Sequence, residues 1–165
     1  MDARAAGPCL AQTVRLEVQD LIARYVDAID EDRLEEWPEL FAEKCRYLIT
    51  SAESDADGLP HGVIYADSRG MLRDRVSALR EANIYEQQRY RHVVGPIRIE
   101  AESEMTVKAR SHFLVVRTMH TGDAMLFASG IYRDRIDVSS LPYRFIERIV
   151  VTDSHKIDTL LAIPL

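Results

Sequence analysis

From Thr13 onward the apolar positions Val14, Val18, Leu21, Ile22, Tyr25 and Ile29 recur three and four residues apart, with Arg15, Glu17, Asp20 and Arg24 between them. At 3.6 residues per turn that spacing gathers the apolar side chains on one face, and it predicts an amphipathic helix. Asp30 to Asp32 interrupt the pattern. Leu34, Trp37, Leu40 and Phe41 then predict a second, short helical stretch, with Pro38 admissible only in its first turn. Cys45–Thr50 and Val63–Tyr65 read as short strands. Between them lies the polar loop Ser51–Pro60, in which Asp57-Gly58 signals a turn. A further helix, capped by Asp67 or Ser68, is expected to run to Asn83 and to bury Met71, Leu72, Val76 and Leu79, leaving Arg69, Arg73, Arg75 and Arg80 on its other side.

Beyond Asn83 the pattern is that of sheet. Val93–Ala101 is broken by Gly95-Pro96, which suggests a bulge or bend. Val107, Ala109, Ser111, Phe113 and Val115 alternate with Lys108, Arg110, His112, Leu114 and Val116, the period of a half-buried strand. Thr121-Gly122-Asp123 supplies a hairpin turn, a return strand covers Ala124–Asp137, and a last one covers Tyr143–Thr152. The apolar end, Ile157–Leu165, is either a core strand or a contact with a neighbouring chain. Helices followed by a long meander predict an α+β fold. The sheet is expected to be a curved, antiparallel or mixed cone wrapped around the N-terminal helices, with residues 13–165 as one domain and 1–12 as a flexible tail. Such a cone hosts enzymes and structural subunits alike, so the fold alone does not fix the function.

Composition narrows the field. With 165 residues, 47% of them hydrophobic and 29% charged, the chain is an ordinary globular domain that needs no disulfide or metal to stand. A net charge of −6 disfavours nucleic acid as a partner. No apolar run approaches the ~20 residues of a membrane span, and no signal-peptide pattern opens the sequence, so a cytoplasmic protein is expected. Cys9 and Cys45 are the two cysteines. They allow one disulfide on paper, but in that compartment they read as free thiols. With no CxxC, no Cys–His cluster, no HExxH and no pair of histidines at i, i+4, neither a zinc site nor an iron–sulfur site is expected in this chain.

Six residues could do acid–base work inside such a cone: Asp27 and Asp30 at the end of the first helix, Tyr47 and Tyr65 on early strands, and His92 and His112 on later ones. A carboxylate that orients a histidine, with tyrosines to polarise a carbonyl, would suit a cofactor-free dehydratase or isomerase using Asp30, His92 and His112. The competing account has Asp27 and Asp30 ending a helix face in water and the histidines bonded locally. Alternation puts His92 on one face with Tyr90 and Val94, where a polar interior group needs a partner, and it puts His112 on the outward face with Lys108 and Arg110. The series Arg69, Arg73, Arg75, Arg80, Arg89, Arg91 suggests a subunit interface, the alternative being a solvated helix face.

The segments Tyr25-Val-Asp-Ala-Ile-Asp30, Asp32-Arg-Leu-Glu-Glu-Trp37, Leu40-Phe41, Cys45-Arg-Tyr47, Asp67-Ser-Arg-Gly-Met-Leu-Arg-Asp-Arg75 and Tyr90-Arg-His-Val-Val94, in this order, resemble the small (beta) subunits of aromatic-ring-hydroxylating dioxygenases. Leu59-Pro60, Ile64-Tyr-Ala-Asp-Ser-Arg-Gly70 and Ile157–Leu165 look most like the small subunits of enzymes acting on aromatic acids, terephthalate dioxygenase above all. The resemblance implies the cone fold of scytalone dehydratase and nuclear transport factor 2, with no catalytic, cofactor or metal residues in this chain. It also implies a partner large (alpha) subunit in an assembly of three large and three small chains. The large subunit would carry a Rieske [2Fe–2S] cluster and a mononuclear iron. A separate reductase would deliver electrons from NAD(P)H, and O2 would enter the ring as a cis-dihydrodiol.

Overall fold

The helical pattern at the start becomes α1, Gln12–Asp30, which buries Val18, Leu21, Ile22, Tyr25, Ala28 and Ile29. It begins at residue 12, inside the segment expected to be a flexible tail. The computed structural model describes residues 11–58, 62–81, 88–155, 161 and 163–165, so Cys9, Pro60 and Asn83 lie outside the described residues. The chain leaves α1 through Asp32, held at a φ of 57°. The expected second helix is only a 3₁₀ turn, Trp37–Leu40, with Pro38 at its start. Leu34, Trp37, Leu40 and Phe41 are all buried, so the segment serves as a plug in the core, while Glu35, Glu36 and Glu39 between them stay exposed. Phe41 already opens β1, Phe41–Ser51.

The polar loop after β1 contains one short helix, α2, Ala52–Ala56, capped by Ser51, whose hydroxyl accepts from the Ser54 N–H at 3.2 Å. Gly58 follows at a φ of 65°, the turn that Asp57-Gly58 signalled. Next come β2, Ile64–Ser68, and α3, Arg69–Glu81. Ser68 supplies the cap, accepting from the Met71 N–H at 3.4 Å. Leu72, Val76 and Leu79 are buried, but Met71 is exposed, because it sits a 100° step away from that stripe.

The remaining strands are β3 (Gln88–Val94), β4 (Arg98–Ala101), β5 (Thr106–Met119), β6 (Ala124–Asp137) and β7 (Arg144–Thr152). β3 and β4 pair with β5 in tandem. Between Val94↔Phe113 and Arg98↔Arg110, three residues of one side face two of the other, which is the bulge expected at Gly95-Pro96. The sheet order is β2-β1-β7-β6-β5-β3, antiparallel except where β1 meets β7 in parallel. On β5 the inward residues are Val107, Ala109, Ser111, Phe113, Val115 and also Arg117. β6 carries Gly130 against β7 so closely that a Cβ there would lie 2.0 Å from the Val151 carbonyl oxygen. The curved sheet closes over α1, and aromatic rings fill the space between. Tyr25 meets Trp37, Phe41, Tyr132 and Phe145 edge-on at 5.7–6.4 Å between centroids. This is the α+β cone that the sequence pattern predicts.

Leu161, Ile163 and Leu165 are buried in that core. The end of the chain therefore belongs to the interior, yet its described residues form no strand. Cys45 faces the core side of β1, and burial pushes its thiol up to about 11. In a Cys9→Ser chain, Cys45 is expected to react with a thiol reagent at pH 8 about two orders of magnitude more slowly than free cysteine, because the thiolate is the nucleophile. Its rate should climb about tenfold per pH unit toward pH 10. Labelling at the free-cysteine rate in the folded protein would refute this.

Candidate functional site

β3 lies at the edge of the sheet, so the N–H groups along its free side have no strand to bond. Asp30, the last residue of α1, fills one of these vacancies. Its Oδ2 accepts from the His92 backbone N–H at 2.8 Å, and its Oδ1 lies 2.6 Å from His92 Nδ1. The Asp30 side chain is 5% exposed and that of His92 0%. Both carboxylate oxygens are thus engaged by one residue, and the imidazole plane is fixed. The reading that places Asp30 in water is overturned, while Asp27 does face solvent. The partner that His92 needed is this carboxylate.

The other candidates do not converge on the pair. On β2, Ile64 and Ala66 point inward, so Tyr65 between them points out and is 48% exposed. His112 stands on the outer face of β5, as alternation predicted. Tyr47 is buried, with its hydroxyl 3.1 Å from that of Tyr25 and 2.9 Å from the Leu165 carbonyl oxygen, which lies 2.5 Å from the Tyr25 hydroxyl. Burial pushes both phenols above their ordinary range, so they act as neutral groups that hold the end of the chain. The dehydratase arrangement built on Asp30, His92 and His112 is therefore not assembled, because the two histidines sit on opposite faces of the sheet. His92 Nε2 remains buried without a partner among the described residues, as do the hydroxyls of Ser111 and Tyr132, which face each other across β5 and β6. Among the described residues, no three His, Cys, Asp or Glu side chains are grouped to hold a metal ion.

One buried pair escaped the sequence reading. Asp134 on β6 and Arg148 on β7 are cross-strand partners, joined through two contacts of 2.8 and 2.7 Å, with both side chains fully buried. The guanidinium lies 4.0–4.4 Å from the ring centres of Tyr25, Tyr132 and Phe145. Burial works against its charge, but the Asp134 carboxylate outweighs burial and holds Arg148 above the ordinary arginine range. The available signal was phase, since Asp134 alternates in step with the inward Tyr132 and Ile136.

The arginines of α3 find partners within the chain. Arg69 donates to the Phe41 carbonyl at 2.9 Å, Arg73 pairs with Glu39 at 2.7 Å, and Arg75 donates to the Leu161 carbonyl at 3.0 Å. Arg80 pairs with Asp32 and Glu35, both at 2.8 Å. They fasten α3 to the plug, β1 and the C-terminal segment, a use that the interface reading did not foresee. Arg89 and Arg91 do face outward on β3.

The ring hydroxylating beta subunit family matches residues 24–158. The chain belongs to that family. It is 43% identical to subunit beta 1 of the terminal oxygenase component of terephthalate 1,2-dioxygenase from Comamonas sp, over 91% of this chain and 97% of that one. It is 38% identical to the anthranilate 1,2-dioxygenase small subunit of Burkholderia cepacia, over 90% and 92% respectively. A crystallised beta subunit assigned to an aromatic-ring-hydroxylating dioxygenase of Novosphingobium aromaticivorans superposes with a TM-score of 0.87 at 38% identity, covering 95% of this chain and all of that one. The chain is thus a beta subunit of a ring-hydroxylating dioxygenase, an oxidoreductase, and as such it has an alpha-subunit partner. No helix among its described residues is long and apolar enough to cross a membrane.

Proposed function

We propose that this beta subunit is the non-catalytic scaffold of a cytoplasmic dioxygenase for aromatic carboxylates, with terephthalate as the leading substrate. In this reading residues 13–165 act as one unit that holds three alpha subunits in an α3β3 hexamer. The alpha subunits carry the Rieske cluster and the mononuclear iron, which supply the oxygen chemistry, and a separate reductase feeds them electrons from NAD(P)H. The observation that carries the scaffold reading is the dispersal of the acid–base candidates. Asp30 and His92 lock each other inside the cone, Tyr47 holds the end of the chain, and Tyr65 and His112 face outward. The substrate class rests on the 43% and 38% identities to subunits of enzymes named for two benzene-ring carboxylates.

The dyad then has a structural task. It ties the end of α1 to the free edge of β3, where an unpaired N–H would otherwise be lost to the interior. His92→Gln in a purified hexamer of unchanged composition and iron content is expected to leave turnover of terephthalate within about twofold of wild type, while lowering the yield of assembled complex. Loss of turnover in a fully assembled, fully metallated variant would overturn the scaffold reading.

A further inference from the structure

Across the outer face of the sheet, Arg98 of β4, Arg110 of β5 and Arg133 of β6 stand directly opposite one another in register, and Ile149 of β7 continues the row. Like charges at directly opposed strand positions repel. The neighbouring row answers its cations from within the chain. It runs Glu100, Lys108, Arg135, Glu147, with its two cations directly opposed, and Glu102 joins Lys108 at 3.1 Å and Arg135 at 2.9 Å. In the arginine row only Arg133 is answered, by Asp55. Arg98 and Arg110 are exposed and have no carboxylate partner among the described residues. An acidic chain with net charge −6 leaves this patch of positive charge unneutralised. The two rows line a concavity of about 360 Å³ in which Ile149 supplies apolar surface.

We infer that this arginine row is a docking surface for an acidic segment of the alpha subunit, whose carboxylates complete the charge pattern that the beta chain leaves open. The inference rests on the family reading, which provides the partner. Geometry favours a polypeptide over a small anion. The three arginines stand on adjacent strands at about 4.8 Å spacing, so their charges extend over about 10 Å, more than one carboxylate or phosphate can span. Guanidinium groups set side by side suit successive Asp or Glu side chains, each held by two parallel hydrogen bonds. The apolar surface beside them suits the stems of those side chains.

The test uses the alpha subunit with which the wild-type chain co-purifies, identified by its iron–sulfur absorption. Affinity of alpha for beta is measured at 50 and 500 mM NaCl for wild type, for Arg98→Glu/Arg110→Glu and for Arg98→Lys/Arg110→Lys. Neither arginine contributes to the core, so circular dichroism and melting should match wild type for both variants. The charge reversal is expected to weaken binding at least tenfold at low salt and to flatten its salt dependence, with the lysine variant keeping most of the affinity. Wild-type affinity and salt slope in the reversal variant would overturn the inference while leaving the scaffold reading intact. The inference also falls if the reversal alters only the self-association of beta chains. It falls equally if sodium terephthalate or inorganic phosphate binds the isolated beta chain at these arginines with alpha affinity unchanged. Failure of the wild-type chain to bind any iron–sulfur partner would sink both readings together.

Discussion

Asp134→Ala is expected to cost about 3–5 kcal/mol of folding free energy. Among the described residues this carboxylate is the only one that meets the fully buried Arg148, and both of its oxygens are used there. Without it the guanidinium would sit among Tyr25, Tyr132 and Phe145 with no counter-charge, and arginine cannot shed its proton to escape. The reverse change, Arg148→Met, should cost less and depend on pH. An unpaired buried Asp134 has a raised folded-state pKa, so it can take up a proton. The variant is then most stable below the unfolded carboxylate pKa and loses stability as pH rises through the raised folded value. The double change Asp134→Leu/Arg148→Met should recover most of the loss, because it buries no charge at all. Urea unfolding of the four chains at pH 5 and pH 8 gives the cycle directly. A single Asp134→Ala loss under about 1 kcal/mol, or a double variant no better than that single, would contradict the account.

Ending the chain at residue 160 should be at least as damaging. The deletion removes the buried Leu161, Ile163 and Leu165. Each such side chain contributes about 1.5–3 kcal/mol. It also takes away the carbonyl to which the buried Tyr25 and Tyr47 hydroxyls bond, at about 1–3 kcal/mol for each group left unsatisfied. The total rivals the whole stability of a typical domain, about 5–15 kcal/mol, so the truncated chain is expected to collect in the insoluble fraction. Leu165→Ala offers a milder probe that should stay folded and lose about 2–5 kcal/mol. A truncated chain with an unchanged urea midpoint would show that the segment is dispensable.

What could be read from the sequence follows the strength of local periodicity. α1 and the outward–inward order of β5 were legible because many residues repeat one spacing, and the same alternation placed His92 inside and His112 outside. The expected second helix is a 3₁₀ plug, because Leu34, Trp37 and Leu40, each three residues apart, fit a 3₁₀ turn as well as an α-helix, and spacing alone does not choose between them. The Asp30–His92 contact joins residues 62 apart, and Asp134–Arg148 joins two strands through a register set by a bulge. Local patterns say nothing about which charged residues will meet at such distances. The α3 arginines show the same limit. Their density was visible, but that they bond Glu39, Asp32, Glu35 and two main-chain carbonyls of their own chain depends on how the helix lies over β1.

The parallel junction of β1 with β7 joins an early strand of the chain to the last one; Arg46 and Glu147, bonded across it, are 101 residues apart. Such a pairing closes a very large loop before any contact offsets the entropy lost, which slows folding. During synthesis β1 must therefore wait, with only β2 beside it, until β7 has left the ribosome. A chain interrupted before that point leaves this edge open to pair with other chains, while one that has closed it is complete through β7. Closure of the cone is thus a late event, which joins the first strand to β7 only after the strands between them have been made.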